Sequence, residues 1–505
     1  MAGIFDYSRR RFIQLSQIAV GSGIGILFSP KFWKNSSSLV AAESPIYYVS
    51  PTGKDSNPGT FEQPWKTIQK AANTLKVGET VYLREGTYPI TEQIRPQNSG
   101  EENQWITYAG YPGEKAVIDA NKIYVAPAVG EPPFDHDQGA FQIENKRYIV
   151  VQNITLINSH NAGFTVRDSH YIHFYNNTVI NTFASGIAIW QNSSHQKVLG
   201  NTVINANDRN MQLSHPDFQP QNPPHEAISI GSIQQFEVAY NHVCYCKKEG
   251  IDCKGTCSQG QVHHNYIHHL RRQGLYVDAW KGVLEEIELY NNIVHDCECG
   301  IAIGAEGGSE VNQIRIHHNL VFNNRATGIL MARWGQDNLR QNIEIYQNTI
   351  HHNGYGQGNS EQPYWLVGGL YFYSKNVKNV KVFKNIFSDN NYFQIGYSEA
   401  YQPQGLAGHN IQIQSNLIFD QNQVTYPIYL EEWAKDYVYE TKGIEFVEMQ
   451  PDFKDALTGN FYWTSDHSLE QTQDYWGAFS PHQPETFWWI INFPPTVQSS
   501  LKVNE

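Results

Sequence analysis

Three carboxylates fall at related places in a phrase that the chain repeats: Asp252 in Gly250-Ile-Asp-Cys-Lys-Gly, Asp278 in Gly274-Leu-Tyr-Val-Asp-Ala-Trp and Glu306 in Gly300-Ile-Ala-Ile-Gly-Ala-Glu. If each phrase is one strand of adjacent turns, successive acids stand about 5 Å apart. That is the separation at which one carboxylate attacks a sugar carbon while its neighbour donates a proton. Crowded acids raise at least one pKa, so the pair can hold a proton at neutral pH. On this reading Asp278 is the nucleophile, Glu306 the acid/base, and Asp252 an orienter or sugar ligand. The same acids could instead satisfy loop amides. Lys254 opens a rival chemistry, because β-elimination needs a base beside a uronate carboxylate and a cation to neutralise it. Glu226, Asp252 and Asp278 would then offer oxygens to calcium. The turn after Asp278 reads Ala279-Trp280-Lys281, without further aspartates. Hydrolysis is therefore the first reading and calcium-dependent elimination the second, so that calcium is the cofactor these acids could take and none is firmly implied.

These acids belong to a wider stripe. Strand neighbours alternate faces, so aligning the phrases on their glycine sends the first and third following residues inward and the second, fourth and sixth outward. The outward set includes Arg167, Trp190, Tyr276, Trp280, Trp334, Tyr371, Tyr373 and Lys375 beside the acids. Aromatic planes stack on pyranose rings while charged groups hold hydroxyls, so the stripe is expected to line an open sugar-binding groove. A solvated sheet face is the plain alternative. A non-catalytic carbohydrate-binding solenoid would use the same groove without turnover.

The element that must position this stripe is a repeat. Glycine followed by a short, largely apolar run recurs at Gly163, Gly186, Gly250, Gly274, Gly300, Gly328 and Gly369, with Ala227 filling one gap. Most steps are 23 to 28 residues, and two of 41 carry an insertion. Asn153, Asn177, Asn201, Asn241, Asn265, Asn292, Asn319, Asn348, Asn385 and Asn416 keep the same beat. Asparagine tolerates left-handed backbone and its amide can bond the copy on the next turn. Alternation as in Ile172-His173-Phe174 and Val380-Lys381-Val382 has a strand's period. The expected fold is all-β, a single-stranded right-handed parallel β-helix, with central repeats over residues 140–420.

Upstream, Tyr47-Tyr48-Val49-Ser50-Pro51, Pro64-Trp65-Lys66-Thr67-Ile68, Thr80-Val81-Tyr82-Leu83 and Trp105-Ile106-Thr107-Tyr108 resemble the amino-terminal module of secreted β-helix enzymes, including chondroitinase-B-like and alginate lyases and several β-helix glycosidases. This segment, 43–139, is expected to cap the helix and form its first coils, with Thr67 capping a short helix. Gln450-Pro451-Asp452-Phe453 to Gly459-Asn460-Phe461-Tyr462 resembles a closing rung, within an aromatic-rich tail over 421–505. The Asp-then-Glu order resembles β-helix glycosidases, and a lysine near clustered acids resembles β-helix pectate lyases.

Composition bounds the partners. The chain has 505 residues, a net charge of −13 and 13% aromatics. Ser8-Arg9-Arg10-Arg11-Phe12-Ile13 precedes an apolar run from Ile18 to Phe28 that is too short to span a bilayer, and resembles a twin-arginine signal ending near Ala41-Ala42. Export to the periplasm or medium follows from that reading; an uncleaved anchor is its alternative. Without residues 1–42 the charge becomes −17, which repels nucleic acid. No later segment is apolar enough to span a membrane, and the expected partner is a polysaccharide or oligosaccharide. The six cysteines cluster at Cys244, Cys246, Cys253, Cys257, Cys297 and Cys299 near His268, His269 and His295. Ligation is one reading; equal parity within each Cys-x-Cys pair favours core stacking, with disulfides possible after export. The pairs His263-His264, His317-His318 and His351-His352 are expected on turns.

Overall fold

The computed structural model describes residues 44–123, 138–211, 225–356, 368–398, 401, 404–419 and 477–478, with backbone strands at 428–429, 444–448, 453–455 and 460–463. The segment expected to be a leader, residues 1–42, and most of the carboxy-terminal tail, including Phe487-Trp488-Trp489, lie outside these residues.

Each central turn contributes three short strands. One turn has Ile251–Lys254, Ser258–His263 and Tyr266–His268; the next has Leu275–Asp278, Val283–Tyr290 and Ile293–His295. Each strand pairs in parallel with its counterpart one turn away, Ile251 with Leu275 and Ser258 with Glu285, so the backbone groups are satisfied between turns. The first strands form an 11-stranded sheet, and the others join the amino-terminal strands in a 25-stranded sheet. This is the expected parallel β-helix. Ile46–Val49, Thr80–Leu83 and Ile106–Gly110 stack in order beneath Arg147–Gln152. Thr67 caps the helix Ile68–Thr74, accepting from the Lys70 N–H. Among the described residues no helix is long and apolar enough to cross a membrane.

Phe164, Ile187, Ile228, Ile251, Leu275, Ile301 and Ile329 share one register column and are all buried, as the repeat requires. Each contributes about 1.5–3 kcal/mol by leaving water. The glycine opening each phrase has a packing cause: a Cβ at Gly274 would lie 2.2 Å from Val294 Cγ1.

Asn177, Asn201, Asn241, Asn265, Asn292, Asn319, Asn348, Asn385 and Asn416 form one buried ladder, each amide donating to the next carbonyl oxygen at 2.9–3.1 Å. Asn153 does not belong to it. It is exposed at φ 57°, and the ladder position on its turn is held by Ile154, whose N–H donates to Asn177 Oδ1. A beat of one residue per turn does not distinguish adjacent positions. A second ladder, Asn324–Asn353–Asn390, was not legible in the repeat. Asn265→Ala removes an amide that bonds Asn292 and Val238 and an oxygen that accepts from Asn241. At about 1–3 kcal/mol per orphaned buried group, it should lower unfolding free energy by about 2 kcal/mol or more. Asn153→Gly should stay within about 0.5 kcal/mol. Denaturant midpoints of the two variants check this, and equal midpoints would contradict it.

The histidine pairs only half follow expectation. His264, His318 and His352 sit at bends with φ of 54, 55 and 51°, but His263 and His317 lie on strands. Those two alternate with Tyr290 and Tyr346 in a column of stacked rings 4.6–5.2 Å apart. All six cysteines are buried free thiols.

Candidate active site

Alternation on Ile251–Lys254 and Leu275–Asp278 sends Ile251, Cys253, Leu275 and Val277 into the core, leaving Asp252, Lys254, Tyr276 and Asp278 on the outer side. Register places Tyr276 beside Asp252, Asp278 beside Lys254, and Gly304 beside Asp278. Gly304 leaves room for the Tyr276 ring, since a Cβ there would lie 2.4 Å from the Tyr276 hydroxyl. The ring therefore leans across the next turn, and its hydroxyl donates to Glu306 Oε1 at 2.5 Å.

Lys254 Nζ lies 2.7 Å from Glu226 Oε1 and 3.4 Å from Asp252 Oδ2, and 5.7 Å from the centre of the Trp280 ring. Ser229 donates to the other Glu226 oxygen at 2.6 Å. Asp252 is 0% and Asp278 1% exposed, and no side-chain hydrogen bond to either carboxyl is found among the described residues. Burial, reinforced by Glu226, pushes Asp252 well above the carboxylate range. Burial and then Glu306 push Asp278 up to about 8. Burial also opposes charge on Glu226, but Lys254, Lys248 and His225 outweigh it and hold its pKa near 2. For Lys254 the penalty of burial is outweighed chiefly by the charge of Glu226, which keeps it protonated. One ion pair, Glu226 with Lys254, thus lies among two acids that favour their neutral form.

The raised Asp278 pKa sets a sign for stability. Its folded form holds the proton more tightly than the unfolded chain, so the stabilisation is complete below about pH 4 and is lost as pH rises to about 8. Denaturation from pH 5 to 9 should therefore show a smaller loss in Asp278→Asn than in the wild type; parallel curves would contradict the assignment.

The outer side is less open than alternation suggests. Tyr276 and Tyr371, expected as groove walls, are buried with Ala302, Leu330 and Phe393 in a second apolar cluster, and Trp334 and Tyr373 pack partly buried against it. Arg167 is also buried, Trp190 is half-buried and Lys375 is exposed. Trp280, 48% exposed, is the most open ring of the stripe. Alternation fixes the side a residue faces but not what covers that side. Glu306, half-buried, is more accessible than Asp252 or Asp278.

Calcium takes six to eight oxygens. Glu226, Asp252 and Asp278 offer some, but the Lys254 ammonium stands between Glu226 and Asp252 and supplies the charge an ion would bring. The set does not fit calcium in this arrangement.

A groove of about 980 Å³ runs along the other sheet, lined by Tyr171, Lys197, Gln261, Glu288, Arg315 and Lys381 among others. Sequence reasoning missed it. Its rim includes Gln235, Gln259, Glu286, Gln313 and Asn342, which bend the strands at φ near 55°. The signal was a polar residue on every turn before an apolar one or glycine, as in Gln235-Phe236 and Glu286-Ile287.

Residues 139–313 and 286–425, together more than half of the chain, match the family model described as right handed beta helix region, and the chain belongs to that family. A second model, Pel9A-like right handed beta helix region, matches residues 47–217 and ends before Glu226. The chain has a pectate-lyase-like β-helix. It is 28% identical over 390 residues to the uncharacterized protein YwoF of Bacillus subtilis, covering 68% of this chain and 74% of that one. It is 32% identical over 127 residues to the pectate lyase PEL9 of Emericella nidulans, covering 25% of this chain and 31% of that one. The crystal structure of pectate lyase Pel9A superposes with a TM-score of 0.44 at 15% identity, over 83% of this chain and 84% of that one.

Proposed function

We propose that this chain is an exported carbohydrate-active enzyme that hydrolyses glycosidic bonds of a polysaccharide or oligosaccharide with retention of configuration. The observation that carries this reading is the pairing of a buried carboxyl that holds its proton, Asp278, with a more accessible carboxylate oriented by a tyrosine hydroxyl, Glu306. Spacing alone assigns Asp278 as nucleophile. Its raised pKa suits the opposite role, and the two are exchanged here: Asp278 is the acid/base and Glu306 the nucleophile. Glu306 attacks the anomeric carbon as Asp278 gives its proton to the leaving oxygen. Asp278 then takes a proton from water, which attacks the same carbon and releases Glu306. Trp280 and Trp334 offer faces for sugar rings, and Asp252 with Lys254 and Glu226 sets the field around the acid. The resemblance of Arg9-Arg10-Arg11-Phe12-Ile13 and the following apolar run to a twin-arginine signal supports export.

A polysaccharide panel tests this. The expected products are new reducing ends without ultraviolet-absorbing unsaturation, formed equally with and without chelator. The kcat profile should fall above about pH 8 as Asp278 loses its proton. The lyase reading is favoured by the Pel9A-like match over residues 47–217 and the pectate lyase relative. Against it, Lys254 is held protonated by its acids and is a poor base in this arrangement. Chelator-sensitive cleavage giving unsaturated ends, abolished by Lys254→Ala, would replace hydrolysis with β-elimination. Binding without any cleavage would leave the non-catalytic solenoid.

A further inference from the structure

His242, Cys244 and His268 meet on the outer side of a different strand position, away from the acids. The strands His242–Cys244 and Tyr266–His268 pair with His242 beside Tyr266 and Cys244 beside His268. Val243 and Ile267 enter the core, so the flanking residues share the opposite side. Cys246, Cys253, Cys257 and Cys297 pack in the main core and Cys299 in the second apolar cluster; Cys244 is in neither. The reason is the bend at Tyr245, whose φ of 58° breaks the parity expected of Cys244 and Cys246. His242 Nε2 faces His268 Nε2 at 2.9 Å, and the Cys244 sulfur lies within 4.8 Å of a ligating nitrogen on each.

The geometry assigns this trio as a site for one zinc ion, clipping two successive turns together. Zinc takes nitrogen at about 2.0–2.1 Å and thiolate at about 2.3 Å, so tetrahedral bonding separates two imidazole nitrogens by about 3.3 Å. The facing nitrogens part by about 0.4 Å from their present contact, and each ring turns so that its lone pair leaves the line joining them and meets the other at the metal. Burial holds both imidazoles neutral, lowering the pKa of His242 to about 4 and, with His295 adding to it, that of His268 to about 2. The contact between the two Nε2 atoms is a hydrogen bond in which one ring donates to the other, so binding needs the donor ring to move that proton to its Nδ1, leaving both Nε2 lone pairs for the metal. Burial pushes the Cys244 thiol up, so binding must displace its proton: the sulfur–hydrogen bond breaks, a zinc–sulfur bond forms and the proton leaves to solvent. His269 Nδ1 lies 2.7 Å from His268 Nδ1 and can accept from it when Nε2 ligates, which fixes the ring. Three protein ligands leave a fourth position for water.

Cobalt(II), a spectroscopic probe for zinc, tests this on the full chain prepared without a histidine tag. One equivalent should give a near-ultraviolet thiolate-to-cobalt band, displaced by one equivalent of zinc. Cys244→Ser should lose the band, and His268→Gln should weaken binding by more than the about 10–100-fold an outer partner carries. Cys253→Ser, in the core, should leave the band intact. The nearby set His269, His295 and Asp296 has no thiol. Cobalt bound without a thiolate band, or a band that survives Cys244→Ser, would overturn the assignment. If Cys244→Ser does not fold, the wild-type band and its loss of affinity in His268→Gln decide the matter, and no band overturns it.

Discussion

Glu306→Gln is expected to lower kcat by at least about 10²–10⁴-fold, the range a positioned acid or base contributes, while leaving the fold and polysaccharide binding intact. The substitution keeps the shape that receives the Tyr276 hydroxyl but removes the nucleophilic charge. It lies beyond the strand Ile301–Gly304 and outside both apolar clusters, so stability should change by no more than about 0.5 kcal/mol. Tyr276→Phe removes one hydrogen bond, not the carboxylate, and should cost far less in kcat. The measurement is turnover on the most active member of the panel, with binding followed separately. Full activity in Glu306→Gln would remove Glu306 from the chemistry, and binding without turnover in the wild type would make the solenoid a binder.

The largest stability effect is expected at Lys254. Lys254→Met keeps most of the side-chain volume but leaves the charge of Glu226 buried without its cation, where the Lys254 ammonium now lies 2.7 Å from one oxygen. Removing one partner of such a pair costs about 3–5 kcal/mol. The pH sign follows from Glu226, whose pKa is held near 2 in the folded state. Its contribution is present above the unfolded value near 4.3 and is lost as pH falls toward 2. The deficit of Lys254→Met should therefore be large at pH 7 and shrink below about pH 4. Glu226→Gln added to Lys254→Met should recover most of it, as coupled neighbours do. Additive losses in denaturant unfolding would show that the pair does not act as a unit.

The repeat carried the fold because a solenoid is nearly one-dimensional: each turn meets only its neighbours, so a local rhythm of glycine, alternating apolar residues and asparagine specifies the global stacking. Seven phrases suffice to place Phe164 through Ile329 in one buried column. The same rhythm failed at Asn153, since a one-residue slip moves an asparagine off the ladder yet leaves its spacing within the range of the repeat. It also missed Asn324, Asn353 and Asn390, which recur over too few turns to stand out.

For the site, the sequence by itself determined which residues face outward together: Asp252, Lys254, Tyr276 and Asp278 by alternation, and their order on successive turns by the repeat. Only the tertiary structure decided how deep they lie and which of them hold protons. The burial of Tyr276 in a second apolar cluster, its reach over Gly304 to Glu306, and the capture of Lys254 by Glu226 all depend on neighbours from other turns. Parity likewise predicted that Cys244 and Cys246 share a face, and the left-handed bend at Tyr245 separated them. The physical reason is common to all of these: strand period fixes direction, whereas desolvation, charge pairing and bends depend on what the rest of the chain brings within a few ångströms.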